Sequence, residues 1–281
     1  MKQPEHVVKR LIFYTTCIQL YKLKMIKHTI PLNLPVTMPT NFKNFVVGGN
    51  SFSHNPSSEH SLIWAAYLRE RMGIENYYDT TCGGTGNFFI MSAVIYALEK
   101  LQPDPEETFV AIMWSGNDRD DMIINGNYST IPHLHYEFTD NVAVAISGGM
   151  HDSSVPNVNN FNVNWLKSLE SRTIENYVYI SSLYHYLKSN NYNFLFLDYM
   201  SPDRKFPHRS SDFGIVNLLP KSLADNLKQM MRYDIPDIYS WCLKRNLLSD
   251  DNYHPSVEGN FRWTNEVLVP HLNSHPDSVQ N

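Results

Sequence analysis

The sequence predicts a three-layer α/β/α domain around a mainly parallel sheet of about five strands. Three observations carry that expectation. Short apolar runs alternate with segments of helical periodicity from Phe45 onward. The best run, Thr108–Trp114 (TFVAIMW), is apolar throughout, as in a strand covered on both faces. The first three runs also end in clusters of Gly, Ser, Thr and Asn, and open parallel sheets place their reactive groups beyond the strand ends.

Residues 1–41 stand apart as an N-terminal extension, and 42–281 form the main domain. Val7 to Ile26 has apolar residues at three- and four-residue steps, which suggests a helix. Pro31, Pro35 and Pro39 then impose extended geometry. The first strand, Phe45–Val47, climbs into Gly48-Gly49-Asn50-Ser51, and a helix is expected over Ser58–Met72. A second strand, Ile74–Tyr78, runs to Cys82-Gly83-Gly84-Thr85, followed by an apolar helix over Phe88–Leu101 that stops before Pro103. The third strand, Thr108–Trp114, ends at Ser115-Gly116-Asn117-Asp118. Residues 119–163 are rich in Asn, Gly, Ser and His and read as a long irregular insertion. A helix over Asn164–Ser189 and a fourth strand, Tyr192–Tyr199, follow. Residues 200–217 read as a second insertion. Helices are then expected over Leu218–Met231, Ile238–Leu247 and Ser256–His271.

The chain of 281 residues has 42% hydrophobic and 18% charged residues, enough to bury one large core. A formal net charge of −5 gives no basic footprint for nucleic acid. The three cysteines, Cys17, Cys82 and Cys242, are far apart and suit neither a disulfide framework nor a zinc site. No signal peptide or membrane span is evident, so a cytoplasmic or virion-associated chain is expected. The abundance of Tyr (17) and Phe (14) beside Asn and Ser suits polar-aromatic surfaces that meet carbohydrate.

Ser51, just past the first strand, is the candidate nucleophile. Attack on an acyl carbon needs a base for the hydroxyl proton and donors aimed at the developing oxyanion. Asp251 and His254, three apart in one late stretch, supply an acid and a base. Backbone N–H groups at Ser51 and a glycine, with the Asn117 amide, would make the oxyanion hole. Glycine suits that place because the backbone must approach substrate without a Cβ in the way.

These blocks together resemble the SGNH hydrolases, the group that contains the GDSL esterases. Gly49-Asn50-Ser51-Phe52 is similar to the family's Gly-Asp-Ser-Leu, and Cys82-Gly83-Gly84-Thr85 holds the second block's glycine. Ser115-Gly116-Asn117-Asp118 is similar to Gly-x-Asn-Asp, and Asp251-Asn252-Tyr253-His254 matches Asp-x-x-His. The resemblance spans about residues 44–270. It implies a flavodoxin-like sheet and a Ser51–His254–Asp251 triad that needs no cofactor. It also implies an oxyanion hole from Ser51, Gly83 (or Gly84) and Asn117. The activity implied is hydrolysis of small acyl esters, with O-acetyl groups on a carbohydrate as the first substrate class. Two residues depart from the pattern. Asn50 stands for the usual Asp, which is expected to weaken the positioning of the serine loop, and Ser115 stands for Gly.

Other readings use the same residues. An acyltransferase would pass the acyl group to a sugar hydroxyl, and a binding or virion structural protein could keep the fold with a silent site. An α/β-hydrolase reading fits less well, because Gly49-Asn50-Ser51-Phe52-Ser53 lacks the last glycine of Gly-x-Ser-x-Gly, the serine comes early, and the acid and histidine share one loop. A metal site built from His133 and His135, or from Asp118, Asp120 and Asp121, lacks a ligand set with recognised spacing. Trp114 and Trp165 are expected to pack in the core or the insertion and not to bind a sugar.

Overall fold

The computed structural model describes residues 37–38, 40–53, 63–83, 85–116, 120–125, 136–139, 142–147, 169–199 and 219–275. The expected N-terminal helix, the loop over 200–217 and Trp165 lie outside them. The main sheet contains β1 (Asn44–Gly49), β2 (Asn76–Asp79), β3 (Thr108–Trp114) and β7 (Asn193–Asp198), with all pairs parallel. Their spatial order, β2-β1-β3-β7, is the flavodoxin-like order with four strands described, where about five were expected. The β3 bounds coincide with the apolar run read from the sequence.

Alternate side chains of each strand enter opposite layers. Phe45, Val47, Phe109, Ala111, Met113, Leu195 and Leu197 pack with Trp64 and Leu68 of α1 (Trp64–Met72). Helix α5 (Ile238–Leu243), helix α6 (Val257–Trp263) and the turns that follow complete that layer. Val46, Val110, Ile112, Trp114, Phe194 and Phe196 face the other way. There they meet α2 (Asn87–Leu101), α3 (Leu169–Ser189) and α4 (Lys221–Met230). The strands are therefore apolar at successive positions because both faces are covered. Trp114 is fully buried, as expected.

After α6 the helix widens into a π turn over Thr264–Leu268 and resumes as α7 (Val269–Ser274). Pro270 explains the widening, because it has no N–H and its ring would clash with the carbonyl four residues back.

The 119–163 stretch is not wholly irregular. It contains β4 (Asp120–Asn125), β5 (Tyr136–Thr139) and β6 (Val142–Ser147), an antiparallel sheet in the order β4-β6-β5. Its short strands are set among turn-forming residues, so they were masked in the sequence by composition. The sheet is attached to the main domain through Asp121, whose carboxylate accepts from Gly86 N (2.7 Å) and Phe89 N (2.8 Å). Those donors belong to the first turn of α2, which has no cap from its own chain neighbour. Residue 86 must be glycine for this approach, since a Cβ there would lie 2.9 Å from Asp121 Oδ2. Asp121, weighed in the sequence as a cation ligand, thus serves as a helix cap supplied from the second sheet.

Candidate active site

Beyond β1 the chain turns sharply. Ser53 N donates to Asn50 O (2.9 Å), closing a four-residue turn with Ser51 at its second position. Asn50 is fully buried, and its two side-chain atoms serve different partners. Oδ1 accepts from Phe52 N (2.9 Å), and Nδ2 donates to Trp114 O at the end of β3 (3.3 Å). The expected weakening at Asn50 is therefore not what the turn displays. An ionised Asp accepts only, whereas the amide both closes the turn and ties it to the neighbouring strand. Asn50→Asp is expected to destabilise the fold by about 1–3 kcal/mol, because it sets an acceptor against the buried Trp114 carbonyl. Chemical denaturation of the two proteins measures it. Gly49 is needed for close approach, since a Cβ there would lie 2.5 Å from Ser53 Oγ.

The second block lies beside the first. Thr80 N donates to Val47 O (2.9 Å) and Cys82 N to Gly49 O (3.0 Å), carrying Gly83 to the rim next to the serine turn. Asp79, at the end of β2, shapes this segment by accepting from Thr81 N (2.8 Å) and Thr81 Oγ1 (2.6 Å). Burial pushes the Asp79 carboxyl up to about 6, against the lowering effect of the two Thr81 hydrogen bonds. Its folded-state value lies above its unfolded one, so the folded state disfavours the charged form. That cost is absent below about pH 4, grows between pH 4 and 6, and is complete at neutral pH. Asp79→Asn keeps the acceptor for Thr81 and should stabilise the protein by on the order of 1–2 kcal/mol at pH 7. The gain should disappear near pH 4 in thermal melts across that range.

The third block is held by Asn87, the first residue of α2. Asn87 Oδ1 accepts from Ser115 N (2.7 Å), and Asn87 Nδ2 donates to Ser115 O (2.9 Å) and to Asn176 Oδ1 (3.1 Å). One buried amide thus fixes both backbone groups of the residue that opens the block. Asn117 itself, like Gly84, lies outside the described residues.

Asp251 and His254 occupy a tight loop pinned at its base by Ser249 N to His254 O (2.7 Å) and Ser256 N to Leu247 O (2.9 Å). Asp251 Oδ1 accepts from Ser249 Oγ (2.6 Å), Tyr253 N (2.8 Å) and His254 N (2.9 Å). Its Oδ2 lies 2.5 Å from His254 Nδ1. Burial works against the charged carboxylate, but the hydrogen bonds from Ser249, His254 and Tyr253 outweigh it and hold the group below the usual carboxylate range. An ionised Asp251 only accepts, so Nδ1 carries a proton, and the neutral form of the ring then has its lone pair on Nε2. Nε2 is buried and has no hydrogen-bond partner among the described residues.

Phe52 joins this loop to the serine turn. Its ring centroid is 5.1 Å from that of His254 and 5.3 Å from that of Tyr253, with Tyr199 at 4.5 Å on the same ring. The residue after Ser51 is thus in direct ring contact with the imidazole. Of the residues singled out in the sequence, Ser51, Gly83, Asp251 and His254 all belong to segments at the carboxyl edge of the sheet. Sequence reasoning did not single out Asn87, Asp79, Ser249 or the Trp64–Asn260 pair described below. Asn87 and the Trp64–Asn260 pair have partners distant in sequence, which leaves no spacing to read. Asp79 and Ser249 had a local signal, an acid and a hydroxyl residue two positions apart.

The chain is thus a flavodoxin-like α/β domain with a serine turn at one strand end and an acid–imidazole pair beside it. No family model matches the sequence, and no curated protein does. Several solved structures are similar to it at low sequence identity. One is the esterase EstA from Pseudoalteromonas sp., at 12% identity and TM-score 0.44 over 82% of this chain and 99% of that one. TesA is similar at 12% identity and TM-score 0.47 over 82% and 98% of the two chains. A GDSL-like lipase from Bacteroides thetaiotaomicron is similar at 13% identity and TM-score 0.43 over 83% and 88%. The chemistry of the site has to come from this chain's own residues.

Proposed function

We propose that the protein is a serine esterase of the SGNH type that hydrolyses small acyl esters, O-acetyl groups on a carbohydrate first among them. The observation that carries this reading is the His254 ring. Asp251 fixes its Nδ1 at 2.5 Å, while its buried Nε2 stays free of any described partner, in ring contact with the residue after Ser51.

In this reading Ser51 Oγ attacks the ester carbon as its proton passes to His254 Nε2. Asp251 stabilises the imidazolium that results. The negative charge moves to the carbonyl oxygen, which the Ser51 N–H, the Gly83 N–H and the Asn117 side-chain amide would hold. The tetrahedral intermediate collapses, His254 returns the proton to the leaving alcohol, and an acyl group remains on Ser51. Water then attacks that ester with His254 as base, releasing the acid and restoring the serine. His254 Nε2 takes each proton, first from Ser51 and then from water, and returns it, first to the leaving alcohol and then to Ser51, while Asp251 stays ionised. The carbohydrate preference is supported by the aromatic group around Phe52, where Tyr253 is partly exposed beside His254.

The test is covalent capture. A fluorophosphonate should label the protein once, on the Ser51 peptide, and block turnover of p-nitrophenyl acetate. Release of acetate from O-acetylated xylan would then support the carbohydrate substrate. Acetyl passing to an added sugar faster than to water would place the protein among the acyltransferases. A well-folded protein that neither labels nor turns over would be a binding or structural protein instead.

A further inference from the structure

We infer that Asn260, acting with Trp64 and Ser53, is a positioning element that sets the separation between the serine turn and the histidine loop. This rests on the esterase reading above. Asn260 is 6% exposed, and Trp64 and Ser53 are fully buried. Trp64 Nε1 donates to Ser53 Oγ (3.0 Å), holding the residue that closes the turn around Ser51. The backbone N–H of the same tryptophan donates to Asn260 Oδ1 (3.1 Å). Asn260 Nδ2 in turn donates to Pro255 O (3.2 Å) and Ser256 O (3.0 Å), the two residues directly after His254.

A continuous set of buried hydrogen bonds therefore runs from the serine turn to the histidine loop, through a stretch otherwise packed with apolar side chains. The Trp64 N–H is one of the donors that a helix start leaves without an intrahelical partner, and Ile63 before it offers no side-chain cap. Helix α1 is thus capped by a residue 196 positions later, and that residue also grips the base loop. Thr264 reinforces the contact: its hydroxyl lies 3.3 Å from Trp64 O and 2.8 Å from Asn260 O. The T-shaped Trp64–Trp263 pair, with centroids 6.3 Å apart, packs alongside. The two ends of the set carry the attacking and proton-accepting residues, so a shift in it changes their approach rather than the binding of the ester.

Two variants separate alignment from folding. Asn260→Asp keeps the acceptor for Trp64 N but loses both donations to the histidine loop. Trp64→Phe keeps most of the packing and loses only the donation to Ser53. With p-nitrophenyl acetate, kcat should fall about tenfold in Asn260→Asp and several-fold in Trp64→Phe, with KM within about twofold of wild type. Fluorophosphonate labelling of Ser51 should slow by the same factor as kcat/KM. The double variant should lose no more than Asn260→Asp alone, since both changes break one connected set. Wild-type kcat in both variants, while Ser51→Ala is inactive, would overturn the inference and leave the esterase reading standing. So would a loss that only tracks the unfolded fraction seen by circular dichroism, or a full product of the two single losses in the double variant. Wild-type protein without Ser51-dependent turnover would overturn both.

Discussion

Ser51→Ala should lower kcat/KM for p-nitrophenyl acetate by at least about 10⁴-fold, with labelling by fluorophosphonate lost altogether. In the proposed reaction, removing the oxygen that would become the acyl ester leaves no covalent route. What would remain is whatever the proposed oxyanion donors supply to a water molecule. The substitution is small and lies at a partly exposed turn position closed by the Asn50–Ser53 backbone bond and the Asn50 side chain, neither of which uses the serine hydroxyl. The melting temperature should therefore stay close to that of the wild type. Parallel measurement of turnover and thermal unfolding checks both halves. A Ser51→Ala protein that still hydrolyses the ester at wild-type rate would remove Ser51 from the chemistry.

Asp251→Asn should lower kcat by roughly 10³- to 10⁴-fold with little effect on KM. The amide oxygen can still take the Ser249 hydroxyl and the Tyr253 and His254 N–H groups, so the loop should keep its shape. The amide nitrogen, however, then faces His254 Nδ1, and two donors cannot share that contact. The ring must then move its proton to Nε2, which leaves no lone pair there to take the Ser51 proton in the proposed reaction. A loss confined to kcat, with unchanged secondary structure, would match this account; wild-type kcat would refute it. Because the hydrogen bonds around Asp251 keep its carboxyl below the usual range, it stays ionised well into acid. Its stabilising contribution is therefore full above the ordinary carboxylate range and fades only as pH falls through the lowered value. The acid limb of the kcat/KM profile should accordingly fit one ionisation, not two.

Local pattern was enough for much of the framework. The uninterrupted apolar run Thr108–Trp114 is a strand at the same residues, because a strand buried on both faces has no polar position to blur its ends. The apolar segment before Pro103 is a helix from Asn87 to Leu101 for an equally local reason. The segments holding Ser51, Gly83, Asp251 and His254 were also legible. Each combines turn-forming residues with a chemically distinctive side chain at the end of a periodic segment. The second sheet was not legible, since β4, β5 and β6 are short and set among Asn, Gly, Ser and His residues that read as loop.

The sequence by itself determined the βα alternation, the layered fold and the residue types available at the strand ends, because these depend on periodicity and turn chemistry within a few residues. Only the tertiary structure decided how those ends are held. Asn50 reaches Trp114, Asn87 clamps Ser115, Asp121 caps α2, and Asn260 joins Trp64 to the histidine loop. Each is a buried or, for Asp121, partly buried polar side chain satisfying a backbone group far away in the chain. Burial makes an unpaired polar group costly, so the three-dimensional packing chooses the partner. No spacing in the sequence encodes that choice.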